Sequence, residues 1–111
     1  MTIVYRYDAE ERDCQKVRRL VDATGYFSAA EADVAVELVE ERLAKGDASG
    51  YHFVFAEEGG TPAGYGCYGP IPATQSSFDL YWIVVDPSRQ GKGLGRALMT
   101  EILTLVQLQH S

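Results

Sequence analysis

Gln90-Gly91-Lys92-Gly93-Leu94-Gly95 places glycine at every second position, and Arg89, Lys92 and Arg96 fall in the same short stretch. Glycine leaves the backbone N–H groups uncovered by side chains. The residues that follow, to about Gln109, carry Leu98, Ile102, Leu105 and Val106 on one helical face. A helix therefore starts at the loop and turns its first N–H groups, and the positive end of its dipole, toward whatever occupies it. That arrangement binds phosphate. The cations point the same way: the chain has ten Lys and Arg against sixteen Asp and Glu, so three basic residues at one loop stand out from an acidic background.

Other segments must position this loop. Phe78 to Val85 (FDLYWIVV) is the most apolar run and reads as a central strand leading into it. Thr2 to Tyr7 is β-branched and aromatic and reads as a first strand. Asp8 with Glu11, and Ser28 with Glu31, have capping-box spacing, and each should open a helix. The first helix carries Val17, Leu20 and Val21 inward and ends at Gly25. The second carries Val34, Leu38 and Leu43, with Val36 and Val39 beside them, and ends at Ala44-Lys45-Gly46. Tyr51 to Glu57 and Ala63 to Tyr68 read as a hairpin around Gly59-Gly60, and a polar loop runs from Gly69 to Ser77. The order is β-α-α-β-β-β-α over one domain, residues 1–111, of the α/β (α+β) class.

Composition narrows the function classes. With 46% hydrophobic and 23% charged residues the chain is globular, and its net charge of -6 disfavours nucleic acid and anionic membranes as partners. No apolar run is long enough to span a bilayer, and the N-terminus has no secretory pattern. Cys14 and Cys67 make no disulfide framework, which suits a reducing, cytoplasmic setting. No metal-ligand spacing is present, so His52 reads as structural and Cys67 as a small core residue.

The phosphate ligand follows from register. A Walker loop needs G-x-x-x-x-G-K-[ST], which is absent; a dinucleotide loop needs a third glycine where Arg96 stands. Instead, Gln90 to Gly95, behind Val85-Asp86-Pro87, resembles the Q/R-x-x-G-x-G/A acyl-CoA loop of the GNAT N-acetyltransferases. The order of elements is similar to that family along the whole chain, and the motif itself covers residues 78 to 100.

The resemblance implies a mixed, largely antiparallel sheet and acetyl-CoA as co-substrate, without a metal. Its pyrophosphate would sit on Gln90, Gly91, Lys92, Gly93, Leu94, Gly95 and Arg96. The pantetheine arm would pair with the backbone of Ile83, Val84 and Val85, as an added strand does. Asp79 stands where some members keep a base for the attacking amine, and Tyr26, Phe27, Tyr68, Tyr81 and Trp82 are candidates to line an acceptor pocket. The acceptor would be a small-molecule amine, a peptide N-terminus or a lysine, mildly favouring cationic species given the acidic chain.

Members of the family continue after this helix with a strand, a helix and usually two more strands. The sequence stops at Gln109-His110-Ser111, so no general acid is assigned and the strand before the loop would have an open edge. A homodimer covering that edge is expected. The alternative reading is an acyl-CoA-binding or interaction module without turnover.

Overall fold

The computed structural model describes residues 2–70 and 78–110, with the backbone alone for Pro70, Phe78, Asp79, Gln109 and His110. Its elements are β1 (Val4–Arg6), α1 (Asp13–Thr24), α2 (Ala29–Lys45), β2 (His52–Glu58), β3 (Thr61–Pro70), β4 (Phe78–Val85) and α3 (Leu94–His110). The expected order β-α-α-β-β-β-α is present. The strands form one antiparallel sheet in the order β1-β2-β3-β4. Most of the loop read from the sequence between β3 and β4, residues 71–77, lies outside the described residues, and β3 itself runs on through Gly69 and Pro70.

Alternation along the strands divides the core between two faces. Phe53, Phe55, Tyr65, Cys67 and Val84 meet α1 and α2 through Val17, Leu20, Val21, Ala32, Ala35 and Val39. Val54, Ala56, Ala63 and Tyr68 meet α3 through Leu94, Leu98, Ile102 and Val106, four residues apart on one helical stripe. Two glycines in β3 allow close approaches, Gly66 to α3 and Gly64 to the backbone of β4. A Cβ on Gly66 would fall 2.6 Å from Ile102 Cδ1, and one on Gly64 would fall 2.7 Å from the Val84 carbonyl oxygen.

Three expectations are corrected. The Ser28–Glu31 box forms reciprocally and opens α2 (Ser28 N–H to Glu31 Oε1 2.9 Å, Glu31 N–H to Ser28 Oγ 3.1 Å). The Asp8–Glu11 pair does not open α1, which starts at Asp13. Asp13 is fully buried and decides this start. Its carboxylate accepts the Glu10 N–H at 2.7 Å and both ends of the Arg6 guanidinium at 2.8 and 2.7 Å. Arg6 also reaches Glu57 at 3.3 Å and lies 4.5 Å over the Phe55 ring. A buried carboxylate held by such a fork outweighs an exposed cap.

The inward face of α2 also differs. Ala32, Ala35 and Val39 are buried, Leu38 is partly so, and Val34 and Leu43 are exposed at 43% and 41%. Alanines let two helix backbones and the sheet approach closely, so the small residues take the contact and the larger ones are displaced outward.

Finally, β4 is the last strand in the order of described strands rather than a central one. Its apolarity has another cause. Val84 and Trp82 pack on the α1–α2 side while Ile83 and Val85 pack on the α3 side, so both faces of an edge strand are covered. The β3–β4 register slips between Cys67, opposite Trp82, and Tyr68, opposite Leu80, which leaves Tyr81 as the extra residue of a β-bulge.

Candidate active site

The loop after β4 is built from local rules. The Asp86 side chain accepts the Ser88 N–H at 2.9 Å and the Ser88 hydroxyl at 2.6 Å, opening a short 3-10 turn over Pro87–Arg89. These bonds hold the Asp86 carboxyl below the ordinary carboxylate range. The Asp86 N–H donates to the Ala63 carbonyl at 2.8 Å and ties the loop to β3. Gly91 and Gly93 then take positive φ, 80° and 82°, a conformation that glycine adopts without the Cβ penalty.

The result is a run of unpaired donors. Among the described residues, the backbone N–H groups of Gly91 through Arg96 have no acceptor; the helix's first bond is from Ala97 N–H to Gly93 O at 3.0 Å. Of these residues, Gly91, Gly93, Leu94 and Gly95 line a cleft of about 390 Å³. Its floor is Ile83, Val84 and Val85; one wall is Arg89, Gln90, Gly91, Gly93, Leu94 and Gly95; the other is Thr24 at the end of α1 with Tyr26 and Phe27 from the α1–α2 connection. A strand end, an N–H cradle and an apolar wall thus converge on one space.

The charges are arranged less simply than the sequence suggests. Lys92 and Arg96 are exposed, and neither is in an ion pair among the described residues. Arg89 is engaged: its Nη2 lies 2.6 Å from Glu58 Oε1 at the end of β2, and its Nη1 donates to Ser88 Oγ at 3.2 Å. The buried Arg89 Nε has no protein partner. Gln90 folds its amide back, donating from Nε2 to the Val85 carbonyl at 3.3 Å. The Glu58–Arg89 pair escaped sequence reasoning because its partners are 31 residues apart. The Asp86 turn was visible in principle, since Asp-Pro-Ser is a cap signature.

The acceptor-side candidates separate. Tyr26, 79% exposed, and Phe27 line the cleft. Tyr68 is buried under α3, stacked on His52 at 5.4 Å, and burial raises its phenol pKa. Tyr81 packs edge-on against Tyr51 at 5.6 Å and is not among the cleft-lining residues. Trp82 stands behind Phe27, ring centroids 6.3 Å apart, and its indole N–H donates to Tyr65 Oη at 2.7 Å. Asp79 is paired through its backbone with Gly69, close to the bulge; its side chain lies outside the described residues. Cys67, in the core, has its thiol pushed up to about 12 by burial, so it is a poor nucleophile.

Comparison with known proteins agrees with this geometry. Residues 9–109 match the model of the acetyltransferase (GNAT) family. A 53-residue stretch is 40% identical to the N-alpha-acetyltransferase RimI of Mycobacterium tuberculosis, covering 47% of this chain and 34% of that protein's length. A GNAT-family crystal structure from Desulfovibrio desulfuricans is 53% identical, with a TM-score of 0.94 over 96% of this chain and 67% of that one. A GNAT acetyltransferase from Brucella melitensis in complex with acetyl-CoA shares the fold, at 23% identity and a TM-score of 0.69, over 96% of this chain and 69% of its own. Loop, cleft and sheet together with these matches show that the chain belongs to the GNAT acetyltransferase family.

Proposed function

We propose that this chain binds acetyl-CoA in the cleft beside β4 and transfers its acetyl group to a primary amine. The observation that carries the reading is the run of unpaired N–H groups from Gly91 to Arg96 in the loop whose Gly91, Gly93, Leu94 and Gly95 line that cleft. Pyrophosphate fits it: fixed dipoles and the helix terminus supply the attraction, with Lys92 and Arg96 adding exposed charge. The outer edge of β4 over Ile83, Val84 and Val85 would pair with the pantetheine arm as an added strand does. Gln90 would keep the strand end oriented through Val85.

In the transfer, the amine nitrogen attacks the thioester carbonyl carbon, the C–S bond breaks, and CoA leaves as a thiolate. The ammonium proton must go to a base first, a role we assign to Asp79 directly or through water. Tyr26 and Phe27 form the acceptor wall in this reading. The acceptor class is a small-molecule amine, an N-terminus or a lysine; the RimI relative is named an N-alpha-acetyltransferase, which supports an amine acceptor. A second copy covering the β4 edge and a cytoplasmic setting, consistent with free Cys14 and Cys67, complete the proposal.

The test is thermal melting with and without acetyl-CoA, with ATP and NAD as controls, followed by thiol release against a panel of primary amines. Acetyl-CoA at 100 times its Kd adds about 2.7 kcal/mol, a rise on the order of 10 °C for a domain of this size. A shift with acetyl-CoA alone, plus amine-dependent thiol release, supports the transferase. A shift without release from any amine marks an acyl-CoA-binding module, and no shift removes the cofactor site.

A further inference from the structure

The cleft wall opposite the glycine loop is a short connection, and its support is unusual. Its ends are fixed: the Gly25 N–H closes α1 on Asp22 O at 3.3 Å, and the Ser28–Glu31 box opens α2. Between them the connection rests on the sheet where the Phe27 ring meets Trp82, tilted at 59°. Trp82 is fixed in turn by its indole N–H on Tyr65. Tyr65 is fully buried, with ring centroids 6.2 Å from Phe53 and 6.0 Å from Phe55. A packed run therefore leads from the centre of the core through Tyr65 and Trp82 to Phe27 at the cleft.

Position gives this run its meaning. Trp82 adjoins Ile83, the floor residue farthest along β4 from the glycine loop. A ligand with its phosphates on the loop and its arm along β4 has its acyl end beside that point. We propose that Trp82, held by Tyr65, is a positioning residue for the acyl end of the ligand: through Phe27 it sets how close the α1–α2 connection stands to β4. The inference rests on the acetyl-CoA reading above. It also explains a polar bond in an otherwise apolar core. A directional N–H···O bond fixes the indole plane, which dispersion contacts alone do not.

Trp82 is the chain's single tryptophan, so its emission reports this point alone. The experiment titrates the protein and its Tyr65→Phe variant with acetyl-CoA and with adenosine 3',5'-bisphosphate, a nucleotide end without an arm. Both emission and melting temperature are followed. In the unaltered protein, acetyl-CoA should change Trp82 emission, whereas the bisphosphate should raise the melting temperature and leave emission alone. Tyr65→Phe keeps the ring and removes the acceptor. It should weaken acetyl-CoA roughly three- to tenfold, the scale of one lost hydrogen bond, and leave the bisphosphate within about twofold. A merely structural role would move both ligands together or neither. Either result overturns the proposal, as does silent emission while acetyl-CoA raises the melting temperature. No melting shift from acetyl-CoA overturns the cofactor reading instead, and this inference with it.

Discussion

Leu80 and Trp82 are two residues apart on one strand and lie on opposite faces of the sheet. Leu80 packs with the α3 cluster and Trp82 with the α1–α2 cluster. In a regular strand residues i and i+2 share a face. The bulge at Tyr81 reverses the phase, so that Trp82 reaches Tyr65 and Phe27 while Leu80 still closes the core beneath α3. Deleting Tyr81 would make Leu80 and Trp82 neighbours, which regular alternation places on opposite faces, so pairing with Tyr68 and Cys67 would continue without the bulge and both side chains would keep their faces. We expect the variant to fold with a loss of about 1–2 kcal/mol from the Tyr51–Tyr81 ring contact, read from urea melts; a loss of several kcal/mol would show that the bulge itself is required.

The loop glycines should differ. Gly93 has φ 82°, so Gly93→Ala places a Cβ in the left-handed region at about 1–2 kcal/mol and shifts the N–H cradle. Acetyl-CoA binding should weaken at least tenfold. Gly95 has no such angle, and a Cβ there would meet Val85 Cγ2 at an ordinary 3.7 Å. Gly95→Ala should therefore stay within about 0.5 kcal/mol of the parent and keep its affinity. Calorimetric Kd values for the two variants decide the matter.

The Arg6–Asp13 pair should carry much of the stability at the start of α1. Asp13→Ala leaves the guanidinium with Glu57 and the Asp8 carbonyl only, and should cost about 3–5 kcal/mol in a denaturant melt. A loss below about 1 kcal/mol would show that the site relaxes or hydrates.

Glu58→Gln tests the anchor of the phosphate loop. The pair it breaks is partly exposed, so we expect a modest cost of about 1 kcal/mol. If the anchor sets the position of the loop, acetyl-CoA affinity falls alongside stability. Unchanged affinity would mean that the Asp86 turn holds the loop alone.

A pH effect follows from His52, whose pKa burial and, secondarily, Arg42 hold below the ordinary value of 6.5. The unfolded chain then binds the proton more readily than the folded one. The stability from neutral His52 is complete above about pH 6.5 and declines as pH falls from there toward the lower folded value. Asp47, which opposes this shift, and stacked Tyr68 also face the ring. His52→Gln should flatten the slope of stability between pH 7 and pH 5.5, read from melts across that range; an unchanged slope would assign it to other groups.

The features legible in the sequence were those made by neighbours along the chain. The Ser28–Glu31 box, the hairpin at Gly59-Gly60, the stripe of Leu98, Ile102 and Val106, and the glycine loop each arise from residues a few positions apart. Short-range geometry and side-chain period are properties of local sequence, and so is the family motif. The tertiary structure decided what depends on distant partners. The start of α1 went to Asp13 because Arg6 and Glu57 converge there. The inner face of α2 went to alanines because close helix approach favours small side chains. Arg89 pairs its guanidinium with Glu58, which lies on another strand. The bulge at Tyr81, and with it the Tyr65–Trp82–Phe27 support, has no local mark at all. It is a phase shift between two strands, fixed by which faces two separate cores require.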